Sequence, residues 1–467
     1  MAEVLKKICE FSLDFSFDNI PKNVVHKCKQ HITDSLGCAI AGYFAQDSQI
    51  LLSIIQELGG KTESTIIGSG QKTTSLYATL ANGLMIRVLD YNDVYWNRDP
   101  CHPSDLISAA LAVGEKVGAS GKELIEAIVL GYEFEIRFCD LTVESIWRKG
   151  WHHASLTQFV SPIVTGKLLK LNVEQMLNAI GISACHNYTL GEVTKGKLSM
   201  MKNLADPLAV QSGVMAAILA QKGFKGPKSI LDGKQGFLKV VSKKYEVKKL
   251  VENLGKEFMI NKCWLKPYPA EYFTLSAITA TIELVHKYNL QYKDIEHVII
   301  RTTSRAASVS ADQEKYKPTT KETADHSLPY CVAVAIYDGD IGVEQFSEER
   351  IKNKDIISLI QKVKVVADEE LDKFLPEAQP AIVEIYTKDG RILMQRVDHP
   401  KGSCQNPLTD SDVERKFQSL AYNVMTYERM DEIIKAIYKL EDITQLSDFM
   451  ELLTFNHGKN INVSLNY

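Results

Sequence analysis

The feature that most constrains this chain is a change of hydrophobic periodicity near residue 265. Before that point, apolar residues recur every three or four positions, as Leu76, Leu80, Leu84 and Val88 do, and this spacing places them on one face of a helix. The same spacing predicts further helices at 121–140, 155–171, 173–184 and 205–222. Several one-sided helices must bury their apolar faces against each other, so residues 1–265 predict a helical domain.

After residue 265 the pattern alternates between helices and strands. Helices are predicted at 270–287 and 327–337, and strands at 295–303, 363–366, 381–386 and 392–397. Asp389-Gly390 between the last two strands predicts a hairpin turn. From Thr409 the pattern is helical again. We therefore expect a mainly α protein with an α+β second domain: residues 1–265 and 403–467 form the helical domain, and residues 266–402 are inserted as an α+β lid.

Composition excludes several classes of protein. Hydrophobic residues make up 45% of the 467 residues, which is enough for a sizeable core and argues against disorder. The net charge of −4 is not that of a general nucleic-acid binder. Nine scattered cysteines contain no C-x-x-C pair, which is typical of reduced thiols. No leader or membrane span is apparent, so we expect a cytoplasmic enzyme with neither nucleic acid nor membrane as a partner.

Two acidic residues follow the helix predicted near residue 80. Asp90 and Asp93 are three apart, so on a helical turn they would face the same side. Neighbouring carboxylates can differ in pKa and divide the roles of base and acid. The alternative is a helix end that carries solvated acids.

Histidines stand before two predicted helices. His102 precedes Pro103, which disfavours a helical backbone at His102 and suits the first turn of the next helix, with Ser104 beside it. A helix start favours anions such as a substrate carboxylate, although the histidine could be incidental to a loop. His152 and His153 form a second site, suited to proton transfer or to metal binding. Further ligands at the usual spacing are missing, so no metal is expected.

Other polar side chains complete the candidates. Lys202 and Lys266 can neutralise carboxylates, and Tyr330 can donate or accept a proton close to His326. Neither a phosphate-binding loop, nor a complete dinucleotide fingerprint, nor a nucleophile elbow is present. Chemistry that depends on a nucleotide is therefore not indicated.

Taken in order, these segments resemble the MmgE/PrpD family, which includes 2-methylcitrate dehydratase and cis-aconitate decarboxylase. The marks are Asn82-Gly83, Leu89-Asp90-Tyr91-Asn92-Asp93, His102-Pro103-Ser104-Asp105, Gly131-Tyr132-Glu133, Gly150-Trp151-His152, Ser199 to Lys202, Tyr268-Pro269-Ala270-Glu271, His326-Ser327-Leu328-Pro329-Tyr330 and Asn406-Pro407-Leu408-Thr409. The resemblance covers most of the chain and is nearer the dehydratase branch.

The resemblance implies a homodimer with a cofactor-independent active site between the helical domain and the lid. The catalytic residues it implies are Asp90, His102, His152, Lys202 and Tyr330. The residues expected to bind substrate are Asp93, Ser104, Lys266 and His326. Two positions depart from the family pattern: Val94 replaces a threonine, and Phe273 replaces a histidine of the dehydratase branch.

The expected activity is elimination of water from a small hydroxy-tricarboxylate such as 2-methylcitrate. One group removes a carbon-bound proton beside a carboxylate, and another protonates the departing hydroxyl. Decarboxylation of cis-aconitate and epimerisation of a dicarboxylate are alternatives, because both also pass through a carbanion. A catalytically decayed binding protein is the non-enzymatic alternative.

Overall fold

The computed structural model describes residues 2–455. The helices before residue 265 are α1 (Ala2–Asp14), α2 (Lys22–Gly42), α3 (Gln46–Leu58), α4 (Ser75–Arg87), α5 (Asp105–Val117), α6 (Gly121–Cys139), α7 (Ala154–Leu168), α8 (Val173–Ser183), α9 (Met201–Gln221) and α10 (Phe237–Val241). Those after it are α11 (Leu275–Tyr288), α12 (Ser304–Ser310), α13 (Lys321–Ala324), α14 (Leu328–Asp338), α15 (Glu348–Ile351), α16 (Lys354–Ile360), α17 (Glu369–Asp372), α18 (Asp410–Ala421), α19 (Tyr427–Tyr438) and α20 (Leu446–Leu452).

The strands are few and mostly short. They are β1 (Ser64–Thr65), β2 (Lys72–Thr73), β3 (Tyr95–Trp96), β4 (Pro100–Cys101), β5 (Ile295–Thr302), β6 (Val363–Ala367), β7 (Ala381–Thr387) and β8 (Ile392–Val397). The first four strands form two small antiparallel pairs. The other four form one sheet in the order β6-β5-β7-β8. The mainly α fold with a limited α+β region is confirmed.

Two apolar cores divide the described residues. The larger core joins helices from both parts of the sequence, from Leu5 to Cys263 and from Phe417 to Phe455. The smaller core runs from Ala270 to Val397 and packs α11 and α14 against the sheet. Residues between Phe417 and Phe455 therefore return to the first core, and the exact domain limits at 265 and 402 stay a prediction.

The sheet follows the expected hairpin and adds one parallel pair. β7 and β8 are antiparallel neighbours, and Gly390 in their turn has a φ of +87° that glycine adopts without strain. β5 pairs with β7 in the antiparallel and with β6 in the parallel direction. The parallel pair is possible because five helices separate β5 from β6 and carry the chain back across the sheet.

Two helix limits differ from the predicted ones and affect the site. α4 ends at Arg87, because Asp90 takes a left-handed backbone conformation with a φ of +51°. α9 begins at Met201, four residues earlier than predicted, and continues through Pro207. Periodicity missed this first turn because Lys202 and Asn203 interrupt the apolar pattern. As a result Lys202 lies in the first turn of α9.

Helix α9 is long and apolar enough to cross a membrane by length and composition alone. However, 67% of its most apolar window is buried inside the protein. It packs against α4, α7 and α8, and it carries Lys202 and Asp206 on buried positions. These contacts are those of a core helix. The cytoplasmic location stays a prediction.

Candidate active site

A cavity of about 620 Å³ lies between the two cores. Side chains from the loop after α4, the loops before α5 and α7, the first turn of α9 and helix α12 line it. Seven of the lining residues are lysine or arginine, five are aspartate or glutamate, and four are histidine. The cavity is therefore positively charged and rich in imidazole.

Asp90 is the centre of a buried charge cluster. Its Oδ1 accepts hydrogen bonds from Arg87 Nη1 at 2.5 Å and from Lys202 Nζ at 2.7 Å, and its Oδ2 accepts one from Lys266 Nζ at 2.9 Å. Burial disfavours the charged carboxylate, but Lys202, Lys266 and Arg87 hold the pKa of Asp90 well below its usual value. Three cations thus surround one anion, which leaves an excess of positive charge.

Lys202 is a cation that can release its proton near neutral pH. It is 2% exposed. Burial and the charge of Arg87 lower the pKa of Lys202 to about 8, against the opposing effect of Asp90. A lysine with this pKa is able to act as a general acid in neutral solution.

The hydrogen bonds of His102 fix its tautomer. Its Nδ1 lies 2.6 Å from the backbone oxygen of Asp93, which only accepts, so Nδ1 carries the proton. Its Nε2 lies 3.1 Å from Nη2 of Arg87, which only donates. Burial and the charge of Arg87 lower the pKa of His102 well below its usual value. His102 is therefore neutral, with its lone pair on Nε2.

His152 has the opposite arrangement. Its Nδ1 accepts a hydrogen bond of 3.3 Å from the backbone N–H of Ala154, so the proton of the neutral ring lies on Nε2. Burial and the neighbouring His153 lower the pKa of His152 well below its usual value. These two histidines of the cavity wall thus differ in role: His102 offers an acceptor and His152 offers a donor.

His153 lines the cavity beside this pair, and Asp206 pairs with it. Nε2 of His153 is 3.2 Å from Oδ1 of Asp206, and Nε of Arg87 is 3.7 Å from Oδ2. With His152 they bring three metal-binding atoms within 4.8 Å of one another. The set has the chemistry of a metal site, but Asp206 already faces a guanidinium and an imidazole that would compete with a cation. We therefore assign it to orientation of Arg87 and His153.

Asp93 does not reach the cavity, contrary to the expectation that it binds substrate. Its carboxylate accepts hydrogen bonds from Ser104 Oγ at 2.6 Å and from Tyr132 Oη at 2.6 Å, and it lies 3.0 Å from Nδ1 of His31. Ser104 is directed into the same network and does not line the cavity either. The expectation assumed a helical turn from residue 90, whereas the left-handed backbone of Asp90 separates the two carboxylates.

Tyr330 also lies away from the cavity, contrary to its expected catalytic role. It is buried in the smaller core, and its hydroxyl donates a 2.5 Å hydrogen bond to the backbone oxygen of Gln345. His326 does line the cavity, and its Nδ1 lies 2.5 Å from Oδ1 of Asp325. His326 and Tyr330 belong to the same sequence motif, so the motif alone did not show that His326 faces the cavity and Tyr330 packs in the core.

Sequence reasoning did not select Arg87, Asp206 or Arg305 as site residues. Two of them had a usable signal. Arg87 stands three residues before Asp90, and Asp206 stands four residues after Lys202 on α9, so each pair shares a side of its helix or turn. Arg305 had no signal, because its place depends on packing between distant segments.

Comparison with known proteins assigns the chain to a family. The family models described as the MmgE/PrpD N-terminal domain and the MmgE/PrpD C-terminal domain match residues 6–250 and 268–440. A protein named cis-aconitate decarboxylase from Aspergillus terreus is 25% identical over 474 residues, which is 96% of each chain. A cis-aconitate decarboxylase of Homo sapiens is 25% identical over 455 residues, covering 93% of this chain and 91% of that protein.

A dehydratase is similar to the same degree. The 2-methylcitrate dehydratase of Salmonella typhimurium is 24% identical over 403 residues, which is 82% of each chain. Alignments with relatives that are named as enzymes therefore cover up to 96% of this chain. The two family models together cover most of the sequence. The chain belongs to the MmgE/PrpD family.

Proposed function

We propose that this protein is a cofactor-independent lyase that removes water from a small hydroxy-tricarboxylate such as 2-methylcitrate. The proposal rests on one observation: the cavity combines an excess of buried cations around Asp90 with two neutral histidines, His102 and His152, of opposite tautomer. The cations suit a polyanion, and the histidines suit proton transfer next to a carboxylate. The names of the dehydratase relatives support this reaction.

Substrate binding follows from the charge of the cavity. A tricarboxylate carries about three negative charges at neutral pH, because carboxylic acids ionise near pH 4. Asp90 and, at Arg87, Asp206 offset two of the three charges of Arg87, Lys202 and Lys266. The remaining positive charge is available to the substrate. His326, held by Asp325, supplies a further polar contact on the lid side.

The proposed proton transfers use His102 and Lys202, and His152 stabilises the charge that develops between them. Nε2 of His102 accepts the carbon-bound proton once Arg87 has turned to a substrate carboxylate, and Nδ1–H stays bound to the Asp93 carbonyl. Nε2–H of His152 donates a hydrogen bond to the enediolate oxygen that develops and keeps its proton. Lys202 then gives its proton to the departing hydroxyl, which leaves as water while the C–C double bond forms. Each transfer by a positioned group contributes on the order of 10²–10⁴-fold.

Decarboxylation of cis-aconitate is the second candidate. Decarboxylase relatives align over 96% of this chain, whereas the Salmonella dehydratase aligns over 82%. The cavity also has an apolar wall of Val94, Trp96 and Val309, which would suit a departing carbon dioxide as well as it suits the methyl group of 2-methylcitrate. Epimerisation of a dicarboxylate shares the first proton transfer.

Product analysis tests the proposal. The protein, treated with a chelator, is incubated with 2-methylcitrate, citrate, cis-aconitate and smaller dicarboxylates, and the products are identified by NMR. We expect an alkene from 2-methylcitrate without release of carbon dioxide. Carbon dioxide from cis-aconitate would favour the second candidate, and no product from any acid would reject both. His102→Gln serves as the inactive control.

The homodimer implied by the family is also a proposal. Ile50, Ile54 and Leu58 stand four residues apart on α3, and each is at least 45% exposed, so they form an apolar stripe. Light scattering after size exclusion measures the mass directly. We expect about twice the monomer mass, and a monomer at micromolar concentration would contradict the proposal.

A further inference from the structure

Arg305 in α12 lines the cavity but has no acidic partner. Its Nη1 donates a hydrogen bond of 3.1 Å to the backbone oxygen of Arg98. Among residues 2–455, no carboxylate lies within ion-pair distance of it. The other half-buried or buried cations of the cavity are paired: Lys202 and Lys266 with Asp90, and Lys315 with Asp312.

The acids nearest to Arg305 are already occupied by other donors. Asp99 accepts hydrogen bonds from Ser145 Oγ at 2.5 Å and from the backbone N–H of Ile146 at 3.0 Å. Oε2 of Glu271 accepts hydrogen bonds from Ser310 Oγ at 2.8 Å and from the backbone of residue 273 at 2.9 Å. Both act on Arg305 only at a distance. The guanidinium therefore keeps N–H donors for which the protein supplies no carboxylate.

Aromatic rings hold this guanidinium in place. Its carbon lies 4.7 Å from the ring centre of Trp96 and 5.9 Å from that of Phe273. Trp96 in turn stacks on Tyr272, with centroids 5.1 Å apart and planes at 8°. Cation–π contacts of this kind stabilise a charge whose burial is otherwise unfavourable. A fixed, flat and unpaired guanidinium is suited to a carboxylate, which it can bind through two parallel hydrogen bonds.

The two departures from the family pattern fall in the same place. Val94 and Phe273 belong to one small apolar cluster, which includes Ala306 next to Arg305. A valine and a phenylalanine thus stand where a hydroxyl and an imidazole were expected, and the guanidinium of Arg305 lies beside them.

We propose that Arg305 binds the third carboxylate of the substrate, while the cations around Asp90 bind the other two. The inference rests on the proposed function and adds the basis of its specificity. Arg305 comes from the α+β part, and Arg87, Asp90 and Lys202 come from the helical part, so a tricarboxylate would contact both at once. A dicarboxylate would leave Arg305 unpaired, and the protein should therefore prefer three carboxylates over two.

Calorimetry with unreactive acids tests this, because tricarballylate and succinate differ by one carboxymethyl arm and neither has a hydroxyl to lose. For Arg305→Gln we expect the Kd of tricarballylate to rise about 10- to 100-fold, because one charge-assisted hydrogen-bonded contact is lost. The Kd of succinate should change less than threefold. Arg305→Lys should recover part of the loss. Arg391→Gln, at an exposed arginine of the β7–β8 turn, is the control for lost charge.

The outcomes separate this inference from the proposed function. If Arg305→Gln weakens the binding of both acids equally, or of neither, the role of Arg305 is overturned. The product analysis with 2-methylcitrate tests the proposed function separately and does not depend on this result. If the unaltered protein binds succinate as tightly as tricarballylate, the preference for three carboxylates is wrong. Thermal melting of each variant shows whether the fold is retained.

Discussion

Asp90 and Asp93 stand three residues apart in one loop, are both almost fully buried, and face two different environments. Asp90 is bound by Arg87, Lys202 and Lys266 at the cavity wall. Asp93 is bound mainly by neutral donors behind that wall. Burial opposes ionisation of both carboxylates, but the pKa of each is below its usual value. The neighbouring cations lower the pKa of Asp90, whereas His31 and the hydroxyl hydrogen bonds lower that of Asp93.

The difference shows how one short loop builds both a reaction surface and its support. The cations around Asp90 can exchange this carboxylate for those of a substrate. Among residues 2–455, the hydroxyls of Ser104 and Tyr132 donate to Asp93 and to no other acceptor, and they keep the loop rigid. The backbone oxygen of Asp93 also receives Nδ1–H of His102, so the support reaches the proposed base through the main chain.

The largest effect is expected from Asp90→Asn. Without this carboxylate the three cations repel each other and no longer have fixed positions, so kcat/KM for 2-methylcitrate should fall on the order of 10³-fold. The free energy of unfolding should also fall by about 3 kcal/mol, because buried charges lose their partner. Steady-state kinetics and urea unfolding measure the two. Asp431→Asn, at an exposed residue of α19, is the control; activity near the unaltered level would contradict the assignment.

Asp93→Asn should affect stability more than activity. The amide leaves Tyr132, Ser104 and His31 with poorer acceptors, and we expect a loss of about 3 kcal/mol in unfolding free energy. The His102 hydrogen bond goes to the backbone and remains, so kcat should fall less than tenfold where the protein is folded. A 10³-fold loss of kcat at unchanged stability would show instead that Asp93 acts on the substrate.

The pH dependence of kcat/KM distinguishes the two kinds of group. The lowered pKa values of His102 and His152 keep both rings neutral at pH 7, so activity should decline only in acid well below pH 6.5. The pKa of Lys202 is about 8, so activity should also decline above about pH 8 as the proton donor is lost. In Lys202→Arg activity should fall at every pH, because arginine stays protonated and cannot give a proton, and the remaining activity should show no decline above pH 8. A flat profile between pH 7 and 10 would remove Lys202 as the acid.

The smallest effect is expected from Tyr330→Phe. The change removes one hydrogen bond to Gln345 in the smaller core and should cost about 1 kcal/mol in unfolding free energy. Activity should stay within twofold, because Tyr330 does not line the cavity. A loss of 10²-fold in kcat would restore the catalytic role that its motif suggested.

Much of the fold followed from the sequence, because periodicity, glycine punctuation and the Asp389-Gly390 turn act over short distances. The convergence of Asp90, His102, His152, Lys202, Lys266 and His326 on one cavity followed from the family resemblance. Asp93 was misplaced because the left-handed backbone of Asp90 changes the side that Asp93 faces. Tyr330 was misplaced because the first turn of α14 directs it into the smaller core. Arg305 depends on contacts between residues about 200 positions apart, which no local pattern encodes.

The most direct measurement follows 2-methylcitrate by NMR in D₂O with chelator-treated protein. We expect the alkene to form at the same rate as without chelator, and recovered 2-methylcitrate to gain deuterium at the carbon beside a carboxylate as the reaction reverses. His102→Gln should show neither. Exclusion of deuterium from that carbon, or a requirement for added metal, would contradict acid–base catalysis by the residues of this cavity.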